Sequence, residues 1–347
     1  MFNKKTVFIV GAGGSRELGL PVGDDLKTKI VEKLTVVRQR AFTGLAHEGI
    51  EDAFKYLSRT KDQRYLGNLY HAAQGIADAM PQALSIDNYL HAHADNGFIT
   101  LVGKLAITAS ILEAEQESLA YLNIHSPEML EFSGELGNAW HNTFCKMLTE
   151  GVQRANLKNL FSKVAFITFN YDRCIEHVLS YWLASYFRID LEEAQALCRG
   201  LQIYHPYGQV GQLPWQVENG GVSFGSPASG EDLVAISPSV KTFTEREIEE
   251  NVLNRMAHLL YSADRVVFLG FSYGDLNMQL LENENCDTDK RVFGTTLGIS
   301  SPNQKAIESI VKNMLRSKTQ GSRVSQVDFA EVGCNKFLQD YWRPLTQ

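Results

Sequence analysis

The stretch Thr6-Val7-Phe8-Ile9-Val10 runs without polar alternation into Gly11-Ala12-Gly13-Gly14-Ser15 and on to Gly19-Leu20-Pro21. An unbroken β-favouring run of this length suits a strand buried on both faces, as in a parallel sheet. The glycines then mark a tight turn, and the amphipathic stretch from Asp24 to Leu34 reads as the helix that follows. Strand, glycine turn and helix make the opening of a nucleotide-type βα unit. Its glycines admit a diphosphate close to the backbone N–H groups, and its helix offers a positive end to the charge. The competing reading is a glycine turn that only closes a structural βα unit.

Two stricter patterns fail. The dehydrogenase fingerprint G-x-G-x-x-G needs glycine where Arg16 stands, and the Gly-Lys-Ser/Thr of a P-loop does not occur. Neither an ordinary dehydrogenase nor a P-loop ATPase is favoured.

The 347 residues, 44% of them hydrophobic, suffice for one large domain or two smaller ones. A formal net charge of -7 argues against a chain built to cover phosphate backbone, so direct nucleic-acid binding is not indicated. The sequence offers no apolar run that reads as a bilayer span, and Met1 to Lys5 lead straight into a strand, so a cytoplasmic protein is expected. The cysteines, Cys145, Cys174, Cys198, Cys286 and Cys334, include no C-x-x-C pair. That disfavours a disulfide framework and a cysteine zinc ribbon, and buried free thiols are expected.

Beyond the first unit, positions 38 to 160 read as almost entirely helical, with turns near Ser126-Pro127 and Ser133-Gly134. The strand pattern resumes at Lys163 to Phe169, which ends in Asn170-Tyr171-Asp172 before a helix to about Phe187. Leu201 to His205 follows, then a Pro- and Gly-rich loop to Pro238 and a helix from about Thr242 to Tyr261. Arg265 to Leu269 is another buried strand, ending in Gly270-Phe271-Ser272-Tyr273-Gly274-Asp275. A strand at Val292 to Leu297, a helix at Asn303 to Leu315 and a strand near Val324 to Phe329 complete the alternation. The expected fold is α/β: a Rossmann-like, doubly wound parallel sheet from residues 1–37 and 161–347, with 38–160 as a large inserted helical subdomain.

Ligands of such sheets bind beyond the carboxyl ends of the strands. Three ends there carry polar groups: Gly11 to Ser15, Asn170 to Asp172, and Gly270 to Asp275, with His205 at the end of the intervening strand. Together they supply an amide, a carboxylate, a base and hydroxyls to one crevice.

This set resembles the sirtuin-like superfamily, in particular the bacterial sirtuin-like NAD hydrolases of anti-phage defence. The matching elements are Gly11 to Ser15 with Gly19-Leu20-Pro21, Thr168-Phe169-Asn170-Tyr171-Asp172, the segment from His205 to Gly208, and Gly270-Phe271-Ser272, spread over most of the chain in the family's order. The resemblance implies NAD as a substrate, bound by Gly11, Ala12, Gly13, Ser15, Pro21, Tyr207, Gly270 and Ser272. It puts Asn170 near the nicotinamide ribose, His205 near its hydroxyls, and Gly270 and Ser272 near the adenosine half. Two departures count against protein deacylation. The cysteines cannot form the deacylases' zinc ribbon, so no zinc is expected, and Pro21 is followed by Val22-Gly23-Asp24 rather than Asp-Phe-Arg.

Cleaving nicotinamide from ribose passes through an oxocarbenium-like sugar, and the leaving group already carries its charge, so no strong acid is required. A polar group on the ribose hydroxyls, a placed water and a base of moderate pKa help. Asn170 and His205 suit those roles, with Asp172 to orient one of them. Family members often carry histidine directly before the glycine, where Tyr207 stands here. Residues two apart share a strand face, so either His205 or Tyr207 faces the crevice if the strand continues through both; His205 is preferred. The competing readings are a histidine satisfied by backbone at His205 and a mere helix cap at Asn170.

Asp87, His91, His93 and Asp95 crowd one segment, but a regular helix turns two of them away, so no metal site is assigned. Asp87 and Asn88 are candidates to cover the cleft from the insert. Cys174 reads as buried rather than nucleophilic, Trp215 as a base-stacking or loop-anchoring ring, and Glu245 to Glu250 as a solvated helix start.

The expected activity is that of an NAD glycohydrolase depleting the cofactor in anti-phage defence. The alternatives are a sensor of NAD or ADP-ribose and, behind it, a deacylase. The resemblance also favours a homo-oligomer, with an ATPase or nuclease-like protein as a candidate controlling partner.

Overall fold

The computed structural model describes all residues except 40–41, 123–128, 244, 246–249, 283–288 and 316–323. Its described strands are β1 (Thr6–Val10), β2 (Val36–Gln39), β3 (Phe42–Leu45), β4 (Val164–Thr168), β5 (Gln202–Tyr204), β6 (Arg265–Leu269), β7 (Lys290–Thr295) and β8 (Val324–Ala330). Six of them form one parallel sheet in the order β5-β4-β1-β6-β7-β8. From β1 the chain steps outward through β4 to β5, then returns to the other side of β1 and proceeds through β6 and β7 to β8. The order reverses between β1 and β6, the position where such sheets open a ligand crevice.

Every residue of β1, β4 and β6 is buried. Alternation sends Val7, Ile9, Ala165, Ile167, Val266 and Phe268 into one apolar layer, and Phe8, Val10, Phe166, Val267 and Leu269 into the opposite one. Each large side chain so buried contributes about 1.5–3 kcal/mol relative to exposure.

The helices are α1 (Ala12–Ser15), α2 (Gly23–Leu34), α3 (Glu48–Ser58), α4 (Gln63–Ala79), α5 (Ile86–Ala92), α6 (Gly97–Glu117), α7 (Trp140–Thr149), α8 (Cys174–Phe187), α9 (Leu191–Cys198), α10 (Glu231–Ile236), α11 (Glu250–Ser262), α12 (Asp275–Leu281), α13 (Ser301–Met314), α14 (Cys334–Asp340) and α15 (Trp342–Thr346). Residues of α2 to α6 and α11 to α13 pack on the first sheet face, and residues of α7, α8 and α14 on the second. Asp62, Ser85 and Asn96 cap α4, α5 and α6 by accepting from the N–H groups of Tyr65, Asn88 and Ile99.

The α/β sheet with helical insertions is as expected, with local corrections. The first part of the expected helical block is an antiparallel hairpin, β2 with β3, because Thr35-Val36-Val37 favours extended backbone. The helix expected from Thr242 begins, among the described residues, at Glu250. α9 was not anticipated, although Asp190, Glu192 and Glu193 suit a helix start. The turn expected at Ser126-Pro127 lies outside the described residues, as do Cys286 and most of the acidic run after Glu245.

α6 corrects the reading that no stretch could span a bilayer. Its 21 residues are long and apolar enough to do so, and 72% of its most apolar window is buried inside this fold. It is apolar all round because it is surrounded, by α2, α3, α4, α5 and α10.

Candidate functional site

β1 and β6 end side by side, and their loops touch through backbone. Gly11 N–H donates to Leu269 O at 3.0 Å, and Gly13 N–H donates to Gly270 O at 2.9 Å. Gly270 has φ +56, and a Cβ there would lie 2.1 Å from Gly14 N; one on Gly11 or Gly13 would lie 2.7 or 2.8 Å from Gly270 O. These glycines are therefore required for loop-on-loop packing. The Gly11, Gly13 and Gly14 amides bond to backbone carbonyls of Leu269, Gly270 and Gly11, rather than standing open to a diphosphate. Ala12 and Ser272 are exposed on these loops, and Pro21 is half-buried after the left-handed Gly19.

Ser15, at the end of α1, is buried and faces the loop after β4. Asn170 Nδ2 donates to Ser15 Oγ at 2.8 Å, and the Ser15 hydroxyl bonds to the Asp172 carboxylate. An ionised carboxylate only accepts, so Ser15 donates to Asp172 and accepts from Asn170. This fixes the amide's orientation and leaves Asn170 Oδ1 as a buried acceptor without a partner among the described residues. Asp172 Oδ1 also accepts from Cys174 N at 3.1 Å, tying the acid to the start of α8. Burial, only partly offset by these bonds, raises the Asp172 pKa above the usual carboxylate range.

β5 stops at Tyr204, so His205 and Tyr207 lie in the turn beyond it and the shared strand face does not extend to them. They part company. His205 meets Asn170 O and Glu176 Oε1, both at 3.0 Å, behind the Asn170 loop. Tyr207 is buried, edge-on to Phe169 at 5.8 Å, and its hydroxyl donates to Asn277 Oδ1 on α12 at 2.8 Å. Burial disfavours the His205 imidazolium, but Glu176 and the bond to Asn170 outweigh it and hold the pKa above the ordinary histidine range.

The helical insertion reaches the site through Asp87, whose carboxylate accepts from the Tyr171 hydroxyl. Burial raises the Asp87 pKa against the lowering effect of that bond. Asp87, His91, His93 and Asp95 do not gather around a point: Asp87 turns to Tyr171, His93 Nδ1 lies 2.9 Å from Tyr89 O, and the His91 ring packs on Phe243 at 4.8 Å. Cys174 is buried, with its thiol pKa pushed well up by burial and neighbouring acids, which leaves no thiolate for nucleophilic work. Trp215 packs at the edge of the apolar layers and gives its carbonyl to Arg199 at 2.8 Å, as a loop anchor.

A cavity of ≈ 530 Å³ lies elsewhere, between α6 and the loop at Ser237 to Glu245. Its charged groups, Lys104 and Glu245, are already paired at 2.7 Å, and none of the strand-end residues lines it. The polar residues at the strand ends thus lie apart from this cavity.

Two charged partners escaped the sequence reading. Glu176 supports His205, and Glu115 at the end of α6 forms a fully buried pair with Arg173, whose guanidinium also donates to Ser223 O at 3.1 Å. Their only signal was a charge inside an apolar run, as in Cys174-Ile175-Glu176-His177-Val178. No protein-family model matches the chain, and no curated protein matches it.

Proposed function

We propose that the protein is an NAD glycohydrolase of the sirtuin-like type. The observation that carries this reading is the Asn170 amide, oriented by Ser15 and Asp172 so that a buried Oδ1, unpartnered among the described residues, stands beyond the carboxyl end of β4. A ribose hydroxyl is the kind of donor such an acceptor lacks. The reversal of strand order beside β1, and the order of motifs along the chain, support a dinucleotide in this crevice.

In the reaction, NAD⁺ and water give nicotinamide, ADP-ribose and a proton. The electron pair of the ribose C1′–nitrogen bond leaves with nicotinamide and neutralises its ring, while water oxygen bonds C1′ and sheds its proton. Asn170 accepts from a ribose hydroxyl and steadies the positively charged sugar, and Ser15 and Asp172 position it. Unrestrained turnover would empty a cell of NAD, which suits a defence effector held in check by self-association or by a partner.

The reading is tested by incubating the purified protein with NAD and separating the products. Nicotinamide and ADP-ribose in equal amounts, without any acylated peptide, support it. NAD binding without products favours a sensor. Neither binding nor products overturns both.

A further inference from the structure

The His205 ring has no free nitrogen. Nδ1 faces the backbone carbonyl of Asn170 and Nε2 faces Glu176 Oε1, each at 3.0 Å. A carbonyl oxygen only accepts, so Nδ1 carries a proton. Toward the buried Glu176, Nε2 either donates to the carboxylate or accepts that group's proton, and in both cases its lone pair is turned away from a substrate. A histidine base held by a carboxylate leaves its second nitrogen open to the reacting group. Here the second nitrogen is spent on the protein's own backbone.

We propose that His205 and Glu176 form a positioning clamp: the ring donates to the Asn170 carbonyl, fixes the Phe169–Tyr171 backbone, and so aims the Asn170 amide at its ligand. The catalytic half of this inference rests on the NAD-cleaving reading above; the structural half does not. The clamp is enclosed, with side chains 9% and 3% exposed for His205 and Glu176. Asp172 also favours the cationic ring from the loop after β4. Arg173, beside Glu176, favours the carboxylate, and the Cys198 thiol on α9 faces Glu176 with its pKa raised by burial and by that acid. Against burial, His205, the hydrogen bond from the Glu176 backbone and, behind them, Arg173 hold the Glu176 pKa below the usual carboxylate range. Both shifts favour the charged forms, and the geometry leaves neither ring nitrogen open to act as a base.

Two measurements test the clamp. Nitrogen NMR of the histidine-labelled full chain reads the ring without any need for turnover. The clamp predicts Nδ1 protonated throughout and a His205 midpoint above the ordinary histidine value of about 6.5, which falls in Glu176→Gln. A His205 midpoint that Glu176→Gln leaves unchanged, or a wild-type Nδ1 without its proton, would overturn it. Nicotinamide release then compares His205→Asn, whose amide N–H can replace Nδ1, with His205→Ala. The clamp predicts activity within about tenfold of wild type for the first and a loss of about 100-fold for the second. Equal loss in both variants returns His205 to the role of base. Absence of turnover in the wild-type protein counts against the NAD reading alone, and the NMR result then decides the clamp.

Discussion

Asn170 Nδ2 donates to Ser15 Oγ across 2.8 Å, joining the loop after β4 to the glycine loop after β1 over 155 positions of sequence. The bond turns two separate strand ends into one site, because the same Ser15 hydroxyl also satisfies Asp172.

Replacing Ser15 with alanine leaves Asp172 and the Asn170 N–H group short of a buried partner. The expected cost is about 1–3 kcal/mol in urea unfolding. If the amide then swings from its productive orientation, NAD turnover falls by about 100-fold in kcat, with a smaller change in KM. Parallel unfolding and kinetic measurements on Ser15→Ala check both effects.

The contact between the glycine loops predicts that Gly270→Ala is severely destabilising. Its new Cβ meets Gly14 N at 2.1 Å and its backbone holds φ +56. Gly298 has φ +75 but, among the described residues, nothing within 4 Å of a Cβ, so Gly298→Ala isolates the backbone cost, about 1–2 kcal/mol. The Tm of Gly270→Ala should fall well below that of Gly298→Ala; equal shifts would show that the loops can part freely.

Glu115 and Arg173 are both fully buried, and Glu115 Oε2 also accepts from Gly225 N at 2.9 Å. Glu115→Gln strands the guanidinium charge, and the expected loss is about 3–5 kcal/mol. Glu117, two residues along and paired with Lys29 at 3.4 Å in solvent, is the control: Glu117→Gln should change stability by less than about 1 kcal/mol. Denaturant midpoints distinguish the two.

His141 is buried against Trp140, with ring centroids 4.1 Å apart and neither nitrogen hydrogen-bonded among the described residues. Burial lowers its pKa to about 3, so the folded state keeps it neutral where the unfolded chain binds a proton. Stability from this residue is therefore complete above about pH 6.5 and is lost as the pH falls toward 3, by about 2 kcal/mol at pH 5. His141→Phe should flatten that part of the acid-denaturation curve. An unchanged slope between about pH 6.5 and 4 would contradict the assignment.

The sheet was legible because β1, β4 and β6 are buried on both faces and so appear as unbroken apolar runs such as Val266-Val267-Phe268-Leu269. The polar strand ends were legible for the same reason, since they follow directly on those runs. The hairpin at β2 and β3 was not, because its short strands sit beside strong helix-forming segments. Three-dimensional pairing was harder still. Glu176 and His205 are 29 residues apart, and Glu115 and Arg173 are 58 apart, so only folding brings each acid to its partner. The glycine loop carried a double meaning that local pattern cannot separate. Gly11, Gly13 and Gly270 suit close approach to a phosphate, and the approach present here is to one another.

The central claim is that Asn170 stabilises the sugar as nicotinamide leaves. The most direct measurement is nicotinamide release from NAD by the purified protein and by Asn170→Ala, with circular dichroism to establish that both fold. Release by the wild-type protein, reduced by about 100-fold or more in Asn170→Ala, is the predicted result. Equal release by both proteins, or none by either under conditions where NAD is bound, would contradict it.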